Sequence, residues 1–344
     1  MTTTLFFPGL GLNFELNRVA VTVFGLSIYW YGIIIGMAFL AATMCYVRRA
    51  KIFGLDPDRM IDATLVVAIC GVIGARLYYV AFRWGDYAHN LTSIFNLREG
   101  GLAIYGGVIF GILSAWVFCK LRGIRFLPML DLLASGMLIA QAIGRWGNFV
   151  NIEAFGTNTT APWGMRSPVI TSYLTAHQQR LAEAGMIVDP YMPVHPTFLY
   201  EFLWNIIGFI LISKYIKQRK FDGEIFLLYI GWYGLGRAVI EGLRTDSLMF
   251  GGFRVSQVLA VLCVVVSLAV LGIVHSRIKH DPEYLRPYAH AAQEADKPAL
   301  PEQQKPPRIY EWRRTAQAGK RPVVKIPRQE ARAQTAMLRM RKKI

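Results

Sequence analysis

The chain has 344 residues, of which 54% are apolar and 17% charged, with a mean hydropathy of +0.34. The formal net charge of +16 is unevenly placed: seventeen Lys/Arg face seven Asp/Glu between Arg277 and Lys343, so ten of the sixteen positive charges lie in the C-terminal tail. This composition excludes a secreted globule, a nucleic-acid reader and a disordered chain, and places the protein in a membrane.

In chain order, residues 1–26 come first, with Phe6, Phe7 and Leu10 among polar neighbours. No Lys or Arg precedes Arg18, and no apolar run leads to a small-residue cleavage site, so this segment reads as a surface arm rather than a removable signal peptide. A membrane span needs about 20 mostly apolar residues. Seven runs qualify, at 27–47, 60–82, 102–120, 129–149, 197–215, 224–242 and 254–274, predicting an all-α integral membrane fold: a seven-helix bundle over 27–275. Cys45, Cys70, Cys119 and Cys263 fall inside or at the ends of these runs, where they act as small hydrophobes, so the chain is not expected to supply a thiol nucleophile.

The connections at 48–59, 120–128 and 214–223 hold eleven basic residues, whereas the alternate connections and the N-terminal arm hold six: Arg18, Arg83, Arg98, Arg166, Arg180 and Arg244. By the positive-inside rule the first set is cytoplasmic, which puts the N-terminus outside and the C-terminus inside. The outer connection 150–196 contains Trp163, Met165, Tyr173, Leu174, Met186 and Tyr191, too apolar for a bare linker, and is expected to form a small extracytoplasmic cap. Residues 276–344 mix eight prolines with charge and read as a disordered basic tail against anionic membrane lipid, with room for a short helix at 329–343.

Orientation gives each intramembrane polar residue a depth at about 1.5 Å per residue. Arg76, Tyr105, Arg145, Asn148, Tyr200, Glu201, Arg237, Glu241 and Gln257 then lie one to two turns beneath the outer face, on six different runs. Tyr233, Arg237, Glu241 and Arg244 follow one another at helical spacing along one face. A single arginine near a helix end commonly snorkels to the headgroups, but polar groups converging at one depth call for a wet or ligand-filled cavity. Asp62 and Asp131, at the inner ends, are expected to reach the cytoplasmic headgroups. Gly32-x-x-x-Gly36 and Gly107-x-x-x-Gly111 offer close helix approach or simple packing.

Arginines beside tyrosine, asparagine and glutamate point to an anionic ligand held by bidentate hydrogen bonds. The sequence holds no H-E-x-x-H, aspartate-rich metal motif, P-loop or G-x-S-x-G, so neither a metal nor a cofactor is expected. The segment Gly144-Arg145-Trp146-Gly147-Asn148-Phe149-Val150-Asn151-Ile152-Glu153-Ala154-Phe155-Gly156 resembles the G-R-x-G-N-F-x-N-x-E-x-x-G signature of the prolipoprotein diacylglyceryl transferase family. Trp30-Tyr31-Gly32, the 100–107 segment around Tyr105, His195-Pro196-Thr197-Phe198-Leu199-Tyr200-Glu201 and Tyr233 to Glu241 agree in order, so the resemblance covers about 1–275 and leaves the tail outside.

The resemblance implies a seven-span enzyme of the bacterial plasma (inner) membrane. It would move the diacylglyceryl group of phosphatidylglycerol onto the lipobox cysteine thiol of a preprolipoprotein signal peptide, form a thioether and release glycerol 1-phosphate, at a site towards the extracytoplasmic face. It implies that Arg145 and Arg237 hold the phosphate, that Asn148, Asn151, Glu153 and Gly156 belong to the motif loop, and that Tyr31 and Tyr233 position the headgroup. Arg76, His195, Tyr200, Glu201, Glu241 and Arg244 are the further candidate binding residues, Glu241 as the partner of Arg237 or Arg244. Where many relatives carry His-Gly-Gly this chain has Tyr105-Gly106-Gly107; Tyr105 is thus either the proton acceptor or a lipid contact. The other reading of the same arginine layer is a lipid or anionic-solute transporter.

Overall fold

The computed structural model describes residues 2–96, 100–245, 249–250, 253–281 and 287, so nearly all of the expected basic tail, including 329–343, lies outside the described residues. The chain opens with two antiparallel hairpins, β1 (Thr2–Phe7) with β2 (Leu12–Asn17) and β3 (Val19–Val23) with β4 (Leu26–Tyr29). The helices are α1 (Trp30–Arg49), α2 (Pro57–Phe82), a single turn α3 (Trp84–Tyr87), α4 (Ile104–Arg122), α5 (Phe126–Asn151), α6 (Pro168–Glu183), α7 (Thr197–Tyr215), α8 (Glu224–Ile240) and α9 (Val255–His280), with β5 (Met249–Phe250) pairing β6 (Phe253–Arg254) before the last. The fold is mostly helical, as expected of this class, and the short β ladders are its departure from an all-helical reading.

Among the described residues six helices are long and apolar enough to cross a membrane: those at Trp30–Phe53, Pro57–Phe82, Ile104–Arg122, Phe126–Asn151, Thr197–Gln218 and Val255–His280. The expected run at 224–242 folds as α8, which at 17 residues is shorter than the other six, and continues as a 3-10 turn over Glu241–Leu243. Local chemistry sets the ends. Asp56 accepts the Asp58 N–H at 3.1 Å ahead of Pro57, and Gly123 stops α4 with a left-handed φ of +65°.

The central helix is α5, which packs on α1, α7 and α8, while α4 lies chiefly along α2 and α9 along α8. One apolar cluster, including Tyr46, Phe53, Met129, Leu132, Leu138, Ile212 and Ile225, joins the first turns of α5 and α8 to the last turns of α1 and α7. Asp131 belongs to this end and corrects its expectation: it is buried, not at a headgroup, because its carboxylate accepts the N–H groups of Gly223 at 2.8 Å and Phe226 at 2.9 Å and so caps the start of α8.

A second cluster forms the cap. Met165, Ile170, Leu174, Leu181 and Val194 bury one another together with Ile152 and Phe155 at the end of α5. The N-terminal arm is part of it. Phe6 and Arg166 exchange backbone hydrogen bonds at 2.8 Å, and the strand's period-2 alternation turns Leu5 and Phe7 into the cap core while Phe6 stays exposed. Within this arm the first hairpin is built into the cap, and the second keeps Val21, Val23, Phe24, Leu26 and Ile28 exposed.

The glycines divide by what faces them. Gly32 and Gly36 have no heavy atom within 4 Å of an added Cβ and form no seam, whereas Gly107 faces the Gly71 carbonyl at 3.5 Å where α2 and α4 run close. Between α7 and α8, Trp204 Nε1 donates to the Trp232 carbonyl at 2.9 Å and Trp232 Nε1 to the Trp204 carbonyl at 3.0 Å, with the indoles stacked at 4.3 Å. Gly208 and Gly236, each four residues after one tryptophan, leave room for the opposite indole. This reciprocal clasp sets the register of the two helices. Gly236→Ala should destabilise the folded protein by about 1–3 kcal/mol through overpacking against Trp204, while Gly36→Ala should leave it unchanged; thermal unfolding in detergent compares the two.

Candidate active site

The last turns of α5, the first of α7 and the last of α8 converge on one carboxylate. Glu201 Oε2 lies 2.6 Å from Arg145 Nη2, and Oε1 lies 3.3 Å from Arg237 Nη1 and 3.4 Å from Arg244 Nη1. Glu241 Oε2 holds Arg237 Nη2 at 2.7 Å and lies 4.0 Å from Arg244 Nε. Arg254, at the start of α9, donates to the Glu241 carbonyl, and Gln257 Nε2 donates to that of Ala238 at 2.7 Å. Three arginines against two glutamates leave one positive charge. The carboxylates are closed off, with side-chain exposures of 5% and 2%, but Arg145 and Arg237 keep 18% and 19%. A buried charge stripped of its partner costs a few kcal/mol, so this network holds together as a unit while its two accessible guanidinium groups can still reach a ligand.

A polar chain runs from here into the motif loop. Arg145 Nη1 donates to Asn148 Oδ1 at 3.2 Å, and Asn148 and Asn151 donate through Nδ2 to Glu153 Oε1 at 2.9 and 3.3 Å. Arg18 donates to the Asn151 carbonyl at 2.7 Å. The loop turns back through left-handed φ values of +51° at Ile152 and +55° at Ala154, conformations that cost non-glycine residues energy, and the Glu153 N–H returns to the Asn148 carbonyl at 3.0 Å. Tyr31, half-exposed on α1, packs its ring on Gly147 within reach of the Glu153 and Arg145 charges. Tyr233 stacks on Tyr229 with ring centroids 6.1 Å apart.

Four expected positions look different in three dimensions. Gly156 sits in a close backbone passage: its N–H donates to the His195 carbonyl at 2.9 Å, and a Cβ there would meet His195 Cβ at 2.8 Å and the Leu243 carbonyl at 3.0 Å. Arg76 donates to the carbonyls of Ser93, Ile94, Asn96, Gly100 and Gly101 at 2.7 to 3.1 Å, and both glycines have positive φ. Tyr105 opens α4, which packs along α2 away from the α5–α7–α8 junction, and makes no side-chain hydrogen bond among the described residues. Tyr200 points to the cap, accepting from Trp163 Nε1 at 2.7 Å and sharing a hydrogen bond of 3.0 Å between its hydroxyl and His195 Nδ1. Sequence reasoning missed Arg18, Trp163, Trp204, Trp232 and Arg254. An arginine opening the seventh run was visible for the last, but the others sit in segments whose partners are far along the chain.

Burial pushes the His195 imidazole below its ordinary range. The folded state then binds fewer protons than the unfolded one below about pH 6.5, so stability held at neutral pH should fall as the pH drops through that value. Melting curves between pH 7.5 and 5.5 should show this slope in the wild-type chain and a flatter one in His195→Gln.

The family model described as prolipoprotein diacylglyceryl transferase matches residues 18–273. Curated relatives named phosphatidylglycerol--prolipoprotein diacylglyceryl transferase include one from Clostridioides difficile (strain 630), 42% identical over 250 residues that cover 73% of this chain and 92% of the relative. Another, from Clostridium novyi (strain NT), is 40% identical over 265 residues, 77% of this chain and 98% of its own. A third, from Listeria innocua, is 40% identical over 271 residues, 78% and 93% of the two chains.

Proposed function

Because the chain belongs to the prolipoprotein diacylglyceryl transferase family, and is a transferase of the first step of lipoprotein maturation, we propose that Arg145 and Arg237 carry its chemistry by holding the phosphate of phosphatidylglycerol. The carrying observation is that these two guanidinium groups, from α5 and α8, meet on one buried carboxylate and remain the accessible members of the cluster. They offer paired donors to a phosphate oxygen pair, and Glu241 holds Arg237 while Asn148 holds Arg145 in place.

The reaction moves the diacylglyceryl group to the lipobox cysteine thiol of the preprolipoprotein and releases glycerol 1-phosphate. The thiol sulfur attacks the glyceryl carbon next to the phosphate oxygen, and the C–O bond breaks as the C–S bond forms. Negative charge grows on the leaving phosphate, where two guanidinium groups lower the barrier. Tyr31 and Tyr233 flank the headgroup, Asn148, Asn151 and Glu153 hold the motif loop, and Arg244 and Glu241 keep Arg237 in place. Tyr200 and His195 fix the mouth of α7 under the cap, and Tyr105 contacts lipid. A thiol from the substrate accounts for a chain whose own described cysteines are all free and lie within apolar helices.

In this reading α8 is the seventh crossing, the N-terminus and cap face outward, the C-terminus is cytoplasmic, and the enzyme resides in the bacterial plasma (inner) membrane with its site towards the extracytoplasmic face. Support comes from the basic loops at 48–59, 120–128 and 214–223, and from the arginine cluster lying at the helix ends that adjoin the cap. The tail after 281 lies outside the family match, and its positive charge suits anionic lipid in the inner leaflet.

Purified protein with phosphatidylglycerol and a lipobox peptide provides the test. Arg145→Ala and Arg237→Ala should each lower thioether formation by about 100-fold or more, and Arg237→Lys should also fail because a point charge does not replace a planar fork. Normal turnover in either alanine variant would remove the phosphate role. Tyr105→Phe should retain transfer within a few fold, measured in the same assay, and loss of transfer would return the proton role to that hydroxyl.

A further inference from the structure

The arginine cluster has a property that phosphate binding alone does not use: its accessible donors are already occupied from within. Glu201 is nearly closed to solvent, and its two oxygens take up Arg145, Arg237 and Arg244 at 2.6, 3.3 and 3.4 Å. Two guanidinium groups on two oxygens of one anion is the arrangement a phosphate headgroup requires of the same arginines. We propose that Glu201 is a resident counter-ion which the substrate phosphate displaces from Arg145 and Arg237, and that the carboxylate so released takes the proton of the attacking thiol. This rests on the transfer reaction proposed above.

Charge conservation in a buried space favours the assignment. Arg145, Arg237 and Arg244 against Glu201 and Glu241 leave one positive charge, which the single negative charge of a phosphodiester cancels. In the transfer the sulfur forms its bond to the glyceryl carbon, the C–O bond breaks with its electron pair left on the phosphate oxygen, and the product is a phosphomonoester dianion. If the thiol proton goes to Glu201, the extra negative charge on phosphate is matched by the loss of one on the carboxylate, and the site stays neutral from start to finish. A proton sent to solvent would leave an uncompensated charge where charge is expensive.

The surrounding groups narrow the choice. From α5 the charged group facing Glu201 is Arg145, from α8 Arg237, and from the turn after α8 Glu241 and Arg244; Arg254 at the start of α9 binds the Glu241 carbonyl, and Tyr200, the adjoining titratable group on α7, faces Trp163 and His195. Glu241 keeps Arg237 at 2.7 Å, Glu153 accepts the amides of Asn148 and Asn151, and His195 Nδ1 is tied to the Tyr200 hydroxyl. Glu201 is the carboxylate whose partners are those the phosphate would take away.

The full-length protein carrying Glu201→Gln tests both halves. Glycerol 1-phosphate, titrated calorimetrically, should bind several-fold more tightly than to wild type because its competitor has lost its charge. Single-turnover thioether formation at saturating phosphatidylglycerol should fall by about 100-fold at pH 7, within the range of a lost general base. The gap should shrink as pH passes about 8.5, where the thiol ionises by itself. Weaker phosphate binding, or a gap that stays constant with pH, overturns the proposal and leaves Glu201 a positioning residue. Glu201→Asp, which keeps the charge but withdraws the acceptor, reads the same gap should the glutamine variant not fold. Wild-type protein that yields no thioether from phosphatidylglycerol would instead sink the transfer reading itself.

Discussion

The structure depends on how several guanidinium groups are kept together at the edge of an apolar bundle. Like charges repel, and each alone is costly to hold away from water. Glu201 resolves this by standing between helices: it projects from α7 to meet Arg145 of α5 on one oxygen and Arg237 and Arg244 on the other. Glu241 repeats the device one helix over. A surplus positive charge remains, and Arg145 and Arg237 keep part of their side chains open to solvent.

Everything packed around the cluster serves its register. The Trp204–Trp232 clasp locks α7 against α8 about one turn from Glu201 on one helix and Arg237 on the other, and Gly208 and Gly236 exist in that seam to admit the rings. At the opposite end Asp131 caps α8 through the N–H groups of Gly223 and Phe226, fixing where that helix begins. The two devices hold α8 by both ends, which accounts for how a helix of 17 residues presents Arg237 and Glu241 at a set height.

The cap end of the bundle is closed by segments far apart in sequence. β1 joins the cap through Phe6 and Arg166, the cap reaches α7 through Trp163 and Tyr200, and the motif loop passes between His195 and Leu243 at Gly156. Strained backbone at Ile152 and Ala154 is sustained by this surrounding contact, including the bond from Thr197 to the Ala154 carbonyl. Arg76 performs a similar service after α2, gathering the carbonyls of Ser93, Ile94 and Gly100.

Apolar run length and helical spacing are local properties of a chain, which is why the long spans, the stripe from Tyr233 to Arg244 and the pairing of Glu241 with Arg237 could be read from residue order alone. The local contacts of Arg145, Asn148, Asn151 and Glu153 follow likewise from spacing, since these residues share one helix end. Partner choice across the bundle is not local. That Glu201 would gather three arginines, that Arg76 would be consumed by its own loop, that Gly156 would face backbone, and that the N-terminal strand would complete the cap depended on which surfaces met once the helices packed. Tertiary structure decided these because hydrogen bonds and ion pairs reach only a few ångströms, and residues dozens or hundreds of positions apart come within that reach only in the folded chain.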